Sequence, residues 1–351
     1  MVLLAMSAML LLSAAYNRGT RIGNPPMRNT VRLILYLFEL FFLMIWLAET
    51  GRGQFFLRYL FRYVLVLTLA TDVLLFTGIM KRLAGSEHAY LVGTKFTVSY
   101  FHMNLLTLWF VQKKQQLISD RKAKRIIWLG VPIVTLVSVY INCITGIVGC
   151  LLLLVLFLLL NTKFQRSLMR LNSPVLLFLA LAVSLFFPFV ADGVTSVPAV
   201  KYVLTTVFGR DASLTGRLDI FEIFGEEMQG HWLWGFGFGN GNAASVRLWG
   251  YANAQNALLN WILQVGVPVT ILFVLLMVMV FRQIRKMPDK RICMPFVVLM
   301  YVYIIQGSVE ITFSMSFILW MAVIFMLTNE KPTPLPDRLP QHPPKGQEGA
   351  L

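Results

Sequence analysis

The run ALLNWILQVGVPVTILFVLLMVMVF, from Ala257 to Phe281, contains no charged residue. The hydrocarbon core of a bilayer is roughly 30 Å thick, and an α-helix needs about 17 to 25 apolar residues to cross it. This run meets that length, so it is expected as a membrane-spanning helix and sets the scale for reading the rest of the chain. Comparable runs lie near Val2 to Tyr16, Val31 to Glu49, Leu57 to Met80, Leu91 to Gln112, Ile126 to Asn142, Gly146 to Leu160 and Pro174 to Ala191. Two more fall within Ile292 to Leu327, separated at Gly307 to Glu310, where a glycine, a serine and an acid break the hydrophobicity. The expected fold is all-α, a polytopic integral membrane bundle of about ten transmembrane helices.

Composition agrees with that expectation. Hydrophobic residues make up 57% of the 351 and charged residues 13%, and the mean hydropathy is +0.70, far from the balance of a soluble domain. The net charge of +15 sits in short loops between apolar runs, as positive-inside bias predicts. No basic domain or aromatic-interleaved ribbon accompanies it, which argues against nucleic acid as a partner. Cys143, Cys150 and Cys293 fall in apolar segments without ligand-spaced histidines, and are expected as packing residues. The Val2 to Tyr16 run lacks a charged leading region and is followed by further apolar runs, so it is expected to span rather than to act as a cleaved signal.

Three loops carry clusters of lysine and arginine: Lys113 to Arg125, Lys163 to Arg170, and Arg282 to Arg291. All three come out cytoplasmic together, with both termini inside. The connection holding Arg18, Arg21, Arg28 and Arg32 then lands outside, against the bias. Residues 1–330 are expected to form a single transmembrane domain with a long outer loop at about 192–256. Residues 331–351, rich in proline and polar residues, are expected as a disordered cytoplasmic tail.

Polar chemistry gathers in one interval, Thr215 to Gly266. In a membrane protein such gatherings mark where function is sought. Leu218, Phe221, Phe224 and Met228 recur at helical spacing opposite Asp219, Glu222 and Glu226, which predicts an amphipathic interfacial helix over Thr215 to Met228 with Thr215 as N-cap. Trp232, Trp234, Trp249 and Trp261 follow, a pattern expected of headgroup anchors. Gly235, Gly237 and Gly239 alternate in GFGFGNGN, which suits either a tight turn or close approach of backbone to a ligand. Arg217 lies in an outward region that positive-inside bias does not explain, and its guanidinium suits a phosphate clamp; a surface ion pair with Asp219 or Glu222 is the alternative.

These residues resemble a known family. Gly216 and Arg217 opening an amphipathic helix, the turn LWGFGFG (Leu233 to Gly239), the tetrad NAQN (Asn253 to Asn256) and a helix reaching Gly266 are similar in order and spacing to the O-antigen polymerase and O-antigen ligase superfamily, the Wzy-type polysaccharide polymerases. Further echoes are VGTKFTVSYFH (Val92 to His102), NCITGIVG (Asn142 to Gly149) and QGSVE (Gln306 to Glu310). With the hydropathy profile, the resemblance covers most of the chain.

The resemblance implies a glycosyltransferase of the bacterial cytoplasmic membrane that polymerises undecaprenyl-diphosphate-linked oligosaccharide repeat units into capsule, exopolysaccharide or O-antigen on the outer face. It implies no metal and no cofactor, and partners in a chain-length regulator and a flippase of the same pathway. Arg217 takes the place of the phosphate clamp, with Lys95 or Arg247 assisting and with Gly235, Gly237, Gly239 and His231 lining the substrate site. Ligases of the superfamily carry a histidine in the motif corresponding to NAQN. Here Asn253 and Gln255 stand in its place, and neither amide accepts a proton near neutral pH. Two alternatives follow for the tetrad Asn253, Gln255 and Asn256: a base-free mechanism in which its amides only orient the acceptor, or a base from elsewhere, with Glu310, Glu222 or His231 as sources. That departure points from ligase toward polymerase. A ligase moving a finished glycan is the rival enzyme, a transporter or flippase of lipid-linked sugars the rival of another class, and a non-catalytic scaffold subunit the third.

Overall fold

The computed structural model describes residues 1–19, 22–84, 90–117, 132–160, 162, 164–202, 205–206 and 217–331. Among these residues there is no β-strand; the regular elements are helical. The first is α1 (Val2–Tyr16), with the bounds the hydropathy predicts. It is followed by α2 (Pro26–Glu49), α3 (Gly53–Phe76), the short α4 (Ile79–Ala84) and α5 (Lys95–Leu117). Residues 132–140 form α6, the described part of the expected Ile126 to Asn142 span, and α7 (Ile144–Leu160) follows a turn at Asn142. After α8 (Gln165–Leu168) and a 3-10 turn come α9 (Pro174–Ser196) and α10 (Pro198–Tyr202). The remainder is α11 (Arg217–Glu227), α12 (Gly241–Trp249), α13 (Ala257–Lys286), α14 (Met294–Gln306) and α15 (Met315–Asn329). Of the expected tail at 331–351, residues 332–351 lie outside the described residues.

Four helices are long and apolar enough to cross a membrane, and a fifth is obtained if the bent pair Ile144–Leu160 and Gln165–Asn172 counts as one span. That is fewer than the expected ten or so. One reason is visible at α14 and α15, whose 13 and 15 residues rise only about 20 Å each at 1.5 Å per residue. The break expected at Gly307 to Glu310 is present, since α14 ends at Gln306. The two helices it separates are nonetheless shorter than a bilayer crossing.

The run that set the scale is also not one straight helix. Gly266 interrupts α13 with φ 79 and ψ 172, and Pro268 follows two residues later. Trp261 and Phe273 lie on opposite sides of this break, yet their rings stack at 4.1 Å with 6° between planes. Twelve residues of straight helix would hold those positions about 18 Å apart, so the chain folds sharply at Gly266. Two pieces result: a short half-helix up to Val265, and a longer helix from Val267 that at about 30 Å still reaches across a bilayer. Breaking a helix frees backbone groups that must find partners. The preceding loop supplies them: the Phe236 N–H donates to the Leu263 carbonyl at 2.9 Å, and the Val267 N–H donates to the Trp232 carbonyl at 2.8 Å.

The core centres on α14, where every residue from Met294 to Ile304 is buried. Around it pack α5, α7, α9 and α15, while α13 lies against α1, α9 and α15, and α2 against α15. A second, smaller core lies under the polar interval. Ile220, Phe221, Phe224 and Met228 of the amphipathic helix bury there with Phe236, Ala244, Leu259 and Leu263, while Asp219, Glu222 and Glu226 face out. The apolar face of α11 therefore rests on protein. Trp261 is buried in the main core rather than serving as the expected headgroup anchor. All three cysteines are buried and free, as expected.

Candidate functional site

Asn256 fixes the start of α13. Its Oδ1 accepts from the Leu258 and Leu259 N–H groups at 3.0 Å each, and its Nδ2 donates to the Ser184 carbonyl at 2.8 Å and the Ser308 carbonyl at 3.3 Å. An asparagine amide offers two acceptor and two donor positions, so nothing is left for a substrate. Asn256, expected among the acceptor-orienting residues, is in this structure a buried helix cap with its amide bonded within the protein. The Ser184 partner has a local cause. In a regular helix that carbonyl would accept from the N–H four residues on, but residue 188 is proline, which has none. Asn256 completes the carbonyl that Pro188 leaves open.

This cap places the NAQN tetrad deep in the bundle. Ser184 stands ten residues into α9, about 15 Å from its start. The adjoining Ala257 N–H donates to the Gly307 carbonyl at 2.7 Å, at the head of α14 and about 20 Å from its first turn. Asn253 and Gln255 stand in the same turn, half-buried. The Asn253 Oδ1 accepts from the Gln255 N–H at 2.8 Å, and Gln255 takes φ +52, a conformation unusual for a residue other than glycine.

Three other stretches singled out in the sequence meet at this level. Lys95 opens α5, and its Nζ donates to the Asn142 carbonyl at 3.2 Å. Ser99 and Ser138 share a hydrogen bond at 3.2 Å. Gln306 donates from Nε2 to the Thr145 carbonyl at 2.7 Å; Gly149 makes room for it, since a Cβ there would stand 2.1 Å from that nitrogen. Glu310, 4% exposed, belongs to the same junction. Burial pushes the Cys143 thiol up, Ser99, the Gly146 backbone and the Lys95 ammonium pull it back, and the Glu310 charge adds a further upward push. The Tyr100 hydroxyl and the Gln306 Oε1 are buried there without a hydrogen-bond partner among the described residues.

The glycine turn, expected to line the substrate site, packs against three other parts of the chain. Gly235, Gly237 and Gly239 all take positive φ. A Cβ at Gly235 would meet the Gln264 backbone at 2.6 Å, at Gly237 the Pro26 side chain at 2.5 Å, and at Gly239 the Asn29 side chain at 2.3 Å. Their close approaches in this structure are to the protein's own chain. The Gly239 N–H is also taken, donating to Gln264 Oε1 at 2.9 Å. The turn is further tied to α1, because Asn17 Nδ2 donates to the Trp234 carbonyl at 3.4 Å. The Arg18 to Arg32 connection therefore stands at the polar-interval end of the bundle.

His231 and Arg247 do come together. They line a cavity of about 550 Å³ with Ile22, Glu226, Glu227 and Phe236. The His231 ring stacks on Phe236 at 4.0 Å, and its Nδ1 is buried without a partner among the described residues. Arg247 is supplied by α12, a helix the sequence reading did not anticipate; the signal for it was Gly250, which ends it at φ 76. This cavity and the tetrad flank opposite ends of the Ala257–Val265 half-helix, about 13 Å apart by its rise. Arg217 opens α11, about 15 Å of helix from Glu227. Its side chain, with Thr215 and Gly216, lies outside the described residues.

Among the ionisable residues within the helices, Asp72 and His102 pair at 3.2 Å through Oδ2 and Nε2, while His102 Nδ1 donates to the Val98 carbonyl at 2.8 Å. This ties α3 to α5. Comparison with protein-family models, with curated proteins and with solved structures finds no match for this chain.

Proposed function

We propose that the protein is a polyprenyl-diphosphate-dependent glycosyltransferase that joins lipid-linked oligosaccharide repeat units into a surface polysaccharide, with the polar interval on the outer face of the bacterial cytoplasmic membrane. The observation that carries this reading is the convergence of Lys95, Asn142, Gln306, Glu310 and the NAQN tetrad, from four separate stretches of sequence, at the head of α14. In the proposed step the acceptor hydroxyl attacks the anomeric carbon, the bond from that carbon to the phosphate oxygen breaks, and its electron pair leaves with the diphosphate. Glu310 takes the hydroxyl proton, the task neither Asn253 nor Gln255 can perform. The Tyr100 hydroxyl and Gln306 Oε1 are the groups with hydrogen-bonding capacity to spare for holding the acceptor. Lys95, with two donor positions beyond its bond to Asn142, and Arg217 stabilise the charge on the departing diphosphate. A chain-length regulator and a flippase are the proposed partners.

The test is reconstitution of the purified protein with lipid-linked repeat units, read as a ladder of products. Glu310→Gln is expected to lower ladder formation by about a hundredfold or more with its melting temperature little changed, and Arg217→Ala to leave single repeat units unextended. Full activity of both variants would end this assignment. One observation favours a second reading. The half-helix of α13 starts in mid-bundle, a feature shared with transporters that carry substrate past broken helices. Movement of lipid-linked sugar across the vesicle without a ladder would select that reading.

A further inference from the structure

At the end of the bundle opposite the junction, two basic loops far apart in sequence meet around a cavity of about 360 Å³. Arg170 comes from the 3-10 turn before α9, and Arg285 and Lys290 from the end of α13 and the turn that follows it. None of the three is in an ion pair among the described residues. Asn172 also lines the cavity. It is 2% exposed, yet both its Nδ2 and its Oδ1 lack a hydrogen-bond partner among the described residues. Burying an amide in that state is costly, and asparagine is otherwise an odd choice beneath two apolar helices. The first turn of α9 opens onto the same space: Ser173, its N-cap, lines the cavity and makes no side-chain cap. An uncapped helix start presents N–H groups and the positive end of the helix dipole.

We infer that this pocket is a phosphate site, and that its ligand carries a hydroxyl beside the phosphate. Three cations and a helix N-terminus converge on one space, which fits an anion, and guanidinium groups match phosphate oxygens in geometry. The Asn172 amide narrows the choice. Its Nδ2 needs an acceptor, which a phosphate oxygen supplies; its Oδ1 needs a donor, which an ionised phosphodiester does not supply but a neighbouring hydroxyl does. The glycerol phosphate of an anionic phospholipid headgroup combines both, and basic pockets between helices at the membrane face are suited to such headgroups. Free glycerol phosphate has the same chemistry.

The site is independent of the proposed catalysis, being separated from the junction by the length of α14. The test uses the full-length protein in neutral detergent, with melting temperature and native mass spectrometry as readouts. Phosphatidylglycerol, phosphatidylcholine and soluble glycerol 1-phosphate are added separately. Phosphatidylglycerol is expected to raise the melting temperature and remain bound, and phosphatidylcholine to do neither. An equal effect of glycerol 1-phosphate at millimolar concentration assigns a soluble ligand, and an effect of the phospholipid alone assigns a lipid; both support the site. Asn172→Ala is expected to weaken binding about tenfold. The triple variant R170Q/R285Q/K290Q changes residues outside the core and is expected to abolish binding without loss of fold. Unchanged binding by the triple variant, or equal binding of phosphatidylcholine, overturns the inference.

Discussion

The glycine turn at Gly235 to Gly239 and the polar junction at the head of α14 both interrupt an apolar chain with small and amide residues, yet they are assembled in different ways. In the turn, every close approach is to another part of the protein, and the loop exists to complete the broken helix at Gly266. In the junction, separate stretches deliver a carboxylate, an ammonium and amides to one level, and two buried polar atoms are left without partners among the described residues. The contrast teaches that regular glycine spacing in a loop reports packing, whereas convergence of polar side chains from distant sequence reports a place where chemistry can occur.

Substitutions at the turn should cost stability before activity. The largest effect is expected for Gly266→Ala. A Cβ there would stand 2.1 Å from the Leu233 carbonyl oxygen at φ +79, and the hydrogen bonds on either side prevent the loop from retreating. Left-handed backbone strain and overpacking together suggest a loss of about 3 kcal/mol or more, seen as a large drop in melting temperature in detergent. A wild-type melting curve would break the distinction between the two regions.

Next comes Asn256→Ala, which removes the α13 cap and strands the Ser184 and Ser308 carbonyls, at about 2 to 3 kcal/mol. Thermal melting measures it, and a variant that melts normally but makes no ladder would return Asn256 to the catalytic set. Pro188→Ala sharpens the same point. It restores an N–H to the Ser184 carbonyl, so Asn256→Ala should cost about 1 kcal/mol less in that background; a double-mutant cycle with no coupling would contradict the proposed origin of the Asn256 bond. The smallest change is expected for Gly230→Ala. It shares φ +79 but has nothing within 4 Å of its Cβ, so only backbone strain of about 1 kcal/mol applies.

Much of the helical layout was legible in the residues. Val2 to Tyr16, the break after Gln306 and the amphipathic face of α11 follow from hydropathy and spacing, because those properties are local. The fold at Gly266 was not, since Gly266 and Pro268 sit inside an apolar run that passes every length test; Asn260 and Gln264 within it were the available hint. The junction was half legible. Its stretches stood out one by one, but only tertiary packing shows that Lys95 meets Asn142 and that Gly307 meets Ala257. Asn172 escaped notice altogether, because in a basic loop an asparagine looks like ordinary loop polarity until its burial is known.

The half-helix before Gly266 also constrains how the molecule is made. At nine residues, Ala257 to Val265 is too short to partition into a bilayer as an independent segment, and although Asn256 caps the Leu258 and Leu259 N–H groups, the Ala257 N–H finds its acceptor only at Gly307. Its anchors are Ser184, already synthesised, and Gly307, Ser308 and Phe313, which leave the ribosome some fifty residues later. The hydrogen bonds that hold the segment are therefore complete only once residues 307–313 are present, so the junction cannot close before them. A chain truncated before Gly307 would keep its long helices and lose the one place where its polar stretches meet.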